Sequence, residues 1–230
     1  MIVVANIYND YKEKFGIPRQ SGMVKSVLSE IVFTDQFKNA EAVRGIEEYS
    51  HLWLLWGFSE NHWNGSLTVC PPRLGGKEKK GVFATRSSFR PNSIGMSVVK
   101  LEQVTSDNRG TVLIVSGADI LNGSPIYDIK PYLPYADAIN DAEGSFGEEH
   151  KDERISVDFP KEFLNKLPER MQNCAIELLS LDPRAAFNKK PDYIYGLRLG
   201  DFDIRFMNDK GVLRVVDVAD YKDEVIKKIK

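Results

Sequence analysis

Ser97–Gly117 reads SVVKLEQVTSDNRGTVLIVSG, and the fold class turns on it. Ser97–Val104 mixes apolar and polar positions in alternation with β-branched residues, the pattern of a half-buried strand. Thr111–Val115 (TVLIV) is a second β-rich run, stopped by Ser116-Gly117. Upstream, Met1–Asn6 (MIVVAN) reads as a first strand and Val24–Phe33 (VKSVLSEIVF) as another. A helix is expected over Gln36–Arg44, behind the capping residue Asp35. Many short strands, Gly and Pro punctuation and no βαβ alternation predict a mainly β protein built on a single-sheet antiparallel β-barrel.

Beyond residue 140 the pattern changes. Residues 141–153 are expected to be an acidic linker, polar and without periodicity. Residues 154–230 then read as a small α+β domain. Ile155–Phe159 is a strand, and a helix opens at Pro168 with Met171, Ala175, Leu178 and Leu179 on one face. Strands follow at Tyr193–Leu199, Phe202–Met207 and Val212–Val218, the last two joined by a turn at Asn208–Gly211. The expected organisation is therefore a barrel domain over 1–140, the linker, and an appendage too small to be comfortable alone, packed on the barrel or on a partner.

Composition narrows the function classes. With 42% hydrophobic and 28% charged residues the chain is an ordinary globular one. His51–Phe58 (HLWLLWGF), the most apolar stretch, is too short to span a bilayer, so no membrane partner and a cytoplasmic setting are expected. Cys70 and Cys174 are expected to remain reduced, and His51, His62 and His150 show no metal-ligand spacing, so no metal is expected. The net charge of −2 hides a strong partition. Pro71–Lys100 carries seven cations against one anion, and Asp137–Glu153 seven acids against one lysine. The first stretch suits phosphate; both also read as solvated surface.

No Gly-x-Gly-x-x-Gly follows a strand, and neither a P-loop nor a serine elbow is present, so any nucleoside ligand must sit in irregular loops. Two loops qualify. Gly81–Ser97 (GVFATRSSFRPNSIGMS) presents Arg86 and Arg90, two planar cationic forks suited to a carboxylate or phosphate. Asp119–Asp137 (DILNGSPIYDIKPYLPYAD) is stiffened by prolines and offers Asp128 and Asp137 as acceptors. The same residues also read as surface loops whose arginines and aspartates pair with each other.

These stretches, with YKEKFGIPRQ (Tyr11–Gln20), YSHLWLL (Tyr49–Leu55) and PPRLGG (Pro71–Gly76), are similar to the TsaA-like family, also called TrmO. Its bacterial members methylate N6 of threonylcarbamoyladenosine at position 37 of threonine tRNA. LDPRAAF (Leu181–Phe187) resembles a further family signature, with Ala185 and Phe187 where proline and tyrosine are usual. The resemblance implies S-adenosylmethionine as cofactor, a homodimer, and the anticodon loop of threonine tRNA as partner. It implies cofactor contacts from Ser21, Gly22, Met23, Arg86, Ser88, Val98 and Pro125, Ile126, Tyr127 and Asp128. Asp128 is the candidate general base, with Asp137 second, and Arg86 binds an anion of the substrate. For tRNA the candidates are Arg73, Lys77, Arg90, Asn92 and Arg184, with Lys189, Lys190, Arg198 and stacking by Tyr132 or Tyr135. Trp53 and Trp56 are read as core or dimer interface. Alternatives are a methyltransferase of the same fold acting on another RNA or a small metabolite, and a non-catalytic module that binds S-adenosylmethionine or tRNA.

Overall fold

A computed structural model describes residues 1–71, 74, 76–144, 153–184 and 193–221. Arg73, Ala185, Phe187, Lys189, Lys190 and the basic end Lys227–Lys230 lie outside them. The elements are, in order, β1 (Ala5–Tyr8), β2 (Leu28–Phe33), β3 (His51–Gly57), β4 (Thr68–Val69), β5 (Lys80–Gly81), β6 (Ile94–Asp107), β7 (Gly110–Ser116) and β8 (Pro125–Pro131). Then come α1 (Pro134–Asp137), β9 (Ser156–Asp158), α2 (Lys161–Leu164), α3 (Glu169–Ser180), β10 (Tyr195–Leu199), β11 (Phe202–Asp209) and β12 (Val212–Asp220).

The decisive stretch folds as the hairpin β6–β7, paired antiparallel from Asp107–Gly110 back to Lys100–Ser116. Its neighbours extend the sheet in the order β1-β2-β7-β6-β3-β8, and β1 pairs back onto β8, so the six strands close on themselves. Alternation sends Ile7, Ile31, Leu52, Leu54, Val99, Leu113, Val115 and Ile126 inward, where they form one continuous core. Closure leaves these six strands without a free edge, which removes the usual route to edge-to-edge aggregation.

Two local expectations fail. Gln36–Arg44 is no α-helix: a turn at 35–37 leads into a short 3₁₀ segment, Ala40–Val43, capped by the Asn39 side chain rather than Asp35. Too few apolar positions face the core there to sustain α-helical packing; Val43 is the buried residue of the segment. The strand expected over Val24–Phe33 begins only at Leu28, because Val24 and Val27 are drawn into a different core.

That second core belongs to the C-terminal elements. The four-stranded sheet β10-β11-β12-β9 carries α3 across it, with Met171, Ala175, Leu178 and Leu179 packed on Leu197, Ile204, Phe206 and Val215. Pro168 stands at the N-cap of α3 with extended backbone, as a helix start permits. Tyr11, Val24 and Val27, from the connection between β1 and β2, complete this core. The appendage therefore borrows three buried side chains from the N-terminal part. Cys70 and Cys174 are both free thiols, the first exposed and the second buried.

Candidate functional site

A cavity of about 820 Å³ opens at one end of the barrel, a size that suits a nucleoside-like ligand. One wall is the connection 14–20, the second is the loop 83–92, and the floor comes from Trp56, Gly95, Ser97, Asp119 and Ser124. The floor is built by close approach of backbone. A Cβ on Gly95 would meet the Trp56 indole at 2.3 Å, so only glycine lets that ring lie flat across β6. Trp56 Nε1 then donates to Ser97 Oγ at 3.0 Å, and Ser97 Oγ donates to Asp119 Oδ1 at 2.5 Å.

Asp119 is the carboxylate that this chain of bonds delivers to the cavity. Gly117, at φ 80°, turns the backbone after β7, and its carbonyl accepts from Gly22 N at 2.8 Å. That contact brings the backbone N–H of Ser21 to the Asp119 carboxylate as a further donor. Burial pushes the Asp119 carboxyl above its usual range, against the opposing pull of these donors and of the nearby Arg86 guanidinium. The side chain is thus a carboxylate made uncomfortable by desolvation, and a cationic ligand group would relieve it.

The first loop reaches the cavity. Arg86, Ser88, Arg90 and Asn92 all line it. Arg86 Nη1 donates to Gln20 Oε1 at 2.5 Å, tying the two walls together, and Arg90 Nη1 donates to the Thr85 carbonyl at 3.2 Å. Cationic forks, a buried carboxylate and the faces of Phe58, Phe83 and Phe89 give a donor set that fits a nucleoside bearing both carboxylate and ammonium groups. Those residues would hold S-adenosylmethionine.

The second loop reaches the cavity only through its first residues, Asp119, Leu121 and Ser124. Neither Asp128 nor Asp137 lines the cavity. Asp128 sits where β8 pairs with Leu55 of β3, ion-paired to Lys130 at 3.2 Å. Asp137 Oδ2 accepts from Leu133 N at 2.8 Å and from Trp53 Nε1 at 3.0 Å, so it fastens α1 to the barrel's outer face. Ile126 is core, Pro125 and Tyr127 stay outside the cavity lining, and Val98 pairs with Trp53 without lining it. Ser21 meets Asp119 through its backbone, whereas Gly22, which bonds the Gly117 carbonyl, and Met23 do not line the cavity. In β6, Gly95 and Ser97 are buried, while Met96 and Val98 on the opposite face are not.

The tRNA candidates divide too. Lys77 is exposed near the cationic loop. Arg184 is 4% exposed and doubly bonded to Asp182, at 2.7 and 2.9 Å, so it serves the C-terminal core and cannot reach a phosphate. Trp56 is core, but Trp53 lies half-buried against Tyr132, and Tyr135 is 87% exposed. Among the described residues no group of three or more His, Cys, Asp or Glu is placed to hold a metal, and no helix is long and apolar enough to cross a membrane.

Fold and site together define a mainly β protein with a polar, aromatic-lined ligand cavity at the rim of a large antiparallel sheet. The chain belongs to the TrmO family. The family model for the tRNA-methyltransferase O N-terminal domain matches residues 6–138, and that for the TrmO C-terminal domain matches 152–221. An Escherichia coli tRNA (adenine(37)-N6)-methyltransferase is 41% identical over 209 residues, covering 87% of this chain and 89% of its own. A Pseudomonas aeruginosa protein described as a putative S-adenosylmethionine-dependent methyltransferase is 38% identical, covering 94% and 96%. The crystal structure of TrmO from Pseudomonas aeruginosa superposes with a TM-score of 0.74 at 34% identity, covering 95% of this chain and 98% of that one.

Proposed function

We propose that this chain is an S-adenosylmethionine-dependent methyltransferase that modifies N6 of adenosine 37 in tRNA, with threonylcarbamoyladenosine of threonine tRNA as the substrate base. The observation that carries the reading is the 41% identity, over nearly the whole of both chains, to a relative that bears the name of that activity. The cavity supports it. When bound, S-adenosylmethionine supplies an electrophilic methyl group on a sulfonium.

Every other task falls to the chain's own residues. Asp119 meets a cation of the cofactor, and Ser97, Ser21 and Trp56 hold it in place. Arg86 meets the cofactor's carboxylate, while Arg90 and Asn92 at the outer edge of the cavity meet the threonyl carboxylate or a flanking phosphate. Alignment of methyl donor and acceptor nitrogen is the main contribution to rate, with Phe58, Phe83 and Phe89 supplying apolar surface beside the ligand. Within one chain Asp119, and not Asp128, is the carboxylate that lines the cavity, where it serves the cofactor's cation and not the N6 proton.

The homodimer and the anticodon-loop contact belong to the same proposal. Phe83 (78% exposed), Phe89 and Met96 surround the mouth of the cavity, an apolar rim that suits unstacked bases of an anticodon loop or a second copy. Isothermal calorimetry tests the cofactor seat. The account expects S-adenosylmethionine to bind the wild type and to bind Asp119→Asn at least about tenfold more weakly, the scale of one hydrogen bond to a charged group. Equal affinity in both proteins would remove Asp119 from the site.

A further inference from the structure

We propose that the C-terminal module is a clamp that positions one wall of the cofactor cavity, so that its contacts set cofactor affinity. The inference rests on reading that cavity as the S-adenosylmethionine seat. The wall in question is the connection between β1 and β2, residues 9–27, which has no regular secondary structure of its own. Lys14, Ile17, Pro18, Arg19 and Gln20 of this strap line the cavity.

The barrel domain ties the strap near its two ends and also at Lys14, whose Nζ donates to the Glu60 carbonyl at 2.9 Å and to Asn61 Oδ1 at 2.7 Å. Asn9 Nδ2 donates to the Ile120 carbonyl at 2.9 Å, and Gly22 N to the Gly117 carbonyl at 2.8 Å. Between and beyond these ties the C-terminal module grips it from the other side. Gly200 N donates to the Asp10 carbonyl at 2.8 Å, and Arg170 pairs with the Asp10 carboxylate. Arg198 N donates to Glu13 Oε1 at 3.3 Å, and Arg19 Nη2 donates to the Asp182 carbonyl at 3.2 Å. Glu177 of α3 closes the grip: its Oε2 accepts from Lys25 N at 2.9 Å, Ser26 N at 3.3 Å and Ser26 Oγ at 3.0 Å.

Packing adds to these polar grips. Tyr11, Val24 and Val27 are anchored in the C-terminal core on either side of the cavity-lining residues. A second, smaller cavity of about 150 Å³ lies between Lys14–Arg19 of the strap and Leu178, Leu181 and Pro183 of the C-terminal module. Phe15 and Ile17, in the part of the strap that lines the ligand cavity, pack partly buried against the C-terminal core, so the module holds the strap there by apolar contact as well. Gly16, at φ 88°, lets it pass against Leu197 of β10, where a Cβ would meet Leu197 Cδ1 at 1.9 Å. Gln20, which receives the Arg86 fork across the cavity, follows four residues later. Loosening the clamp therefore frees the wall and the partner of Arg86 together.

The test uses the full chain and a graded series: Ser26→Ala, Glu177→Gln and Glu177→Ala. Binding of S-adenosylmethionine is read by calorimetry, and strap amides by hydrogen exchange in the free protein. The clamp predicts faster exchange over 14–20 and stepwise weaker cofactor binding, reaching about tenfold in Glu177→Ala, a usual size for coupling between sites. At saturating cofactor the KM for tRNA stays at the wild-type value. Unchanged cofactor affinity across the series, or an effect confined to the KM for tRNA, overturns the clamp. Ser26→Ala, which removes one of three hydrogen bonds, keeps the test available should Glu177→Ala not fold. Asp119→Asn separates the two claims: if it too leaves affinity unchanged, the seat has been misplaced; if it alone weakens binding, the clamp fails and the seat stands.

Discussion

At the scale of the residue, Asp119 carries the account. Its carboxyl is raised by burial, and such a group binds its proton more tightly in the folded chain than in the unfolded one. Its contribution to stability is therefore complete below the ordinary carboxylate range and is lost as pH rises through the raised value. Cation binding runs in the opposite direction, since only the ionised form attracts the cofactor. Affinity for S-adenosylmethionine should climb through that same window and level off above it, with Asp119→Asn flattening the profile; calorimetry across pH checks this, and an unchanged profile in the variant contradicts it. Asp137 makes the complementary case. Because it bonds Leu133 N and the Trp53 indole, Asp137→Ala should lower the melting temperature by a few degrees and leave kcat unaltered. A large fall in kcat at full stability would restore it to the chemistry.

At the scale of the element, the strands were legible because alternation is a local property. The β6–β7 hairpin, β11–β12 with its turn and α3 behind Pro168 all follow from residues adjacent in the chain. Where a segment's fate depends on a distant partner, the reading failed. Val24 and Val27 look like strand residues until the C-terminal core claims them, and 36–44 has helical composition but packs only Val43 and, partly, Phe37 on the barrel core. The site shows the same limit. Arg86 and Arg90 were visible as cations clustered in one loop, whereas Trp56, Ser97 and Asp119 meet from three elements scattered over more than sixty residues. Asp119 begins the second loop quoted from the sequence, yet its flanking Ala118 and Ile120 are core and nothing nearby marks it as a ligand. The floor of the site yields a prediction at this scale. Gly95→Ala must displace the Trp56 ring, so the variant should lose about 1–3 kcal/mol of stability in denaturant titration, as overpacked cores do. A neutral result would mean that the floor is looser than its contacts imply.

At the scale of the molecule, the strap 9–27 gives its apolar side chains to the C-terminal core while hydrogen bonds hold it to the barrel, and charge is partitioned between a cationic loop and an acidic stretch. The partition was readable by counting, and the strap's anchorage was not, because it joins residues more than 150 positions apart. A basic loop beside the cavity predicts that tRNA binding weakens steeply with added salt, the slope reporting the number of phosphates met. A flat response in filter binding would argue against a phosphate-tracking surface.

The central claim, methyl transfer to N6 of adenosine 37, is tested most directly by incubating the protein with methyl-labelled S-adenosylmethionine and threonine tRNA, with and without its threonylcarbamoyl group, then mapping the label by nuclease digestion and mass spectrometry. The account predicts label on N6 of adenosine 37, in the tRNA that carries threonylcarbamoyladenosine. Label at another nucleotide, label confined to the tRNA lacking the group, or no transfer to tRNA by a protein that binds the cofactor would contradict it.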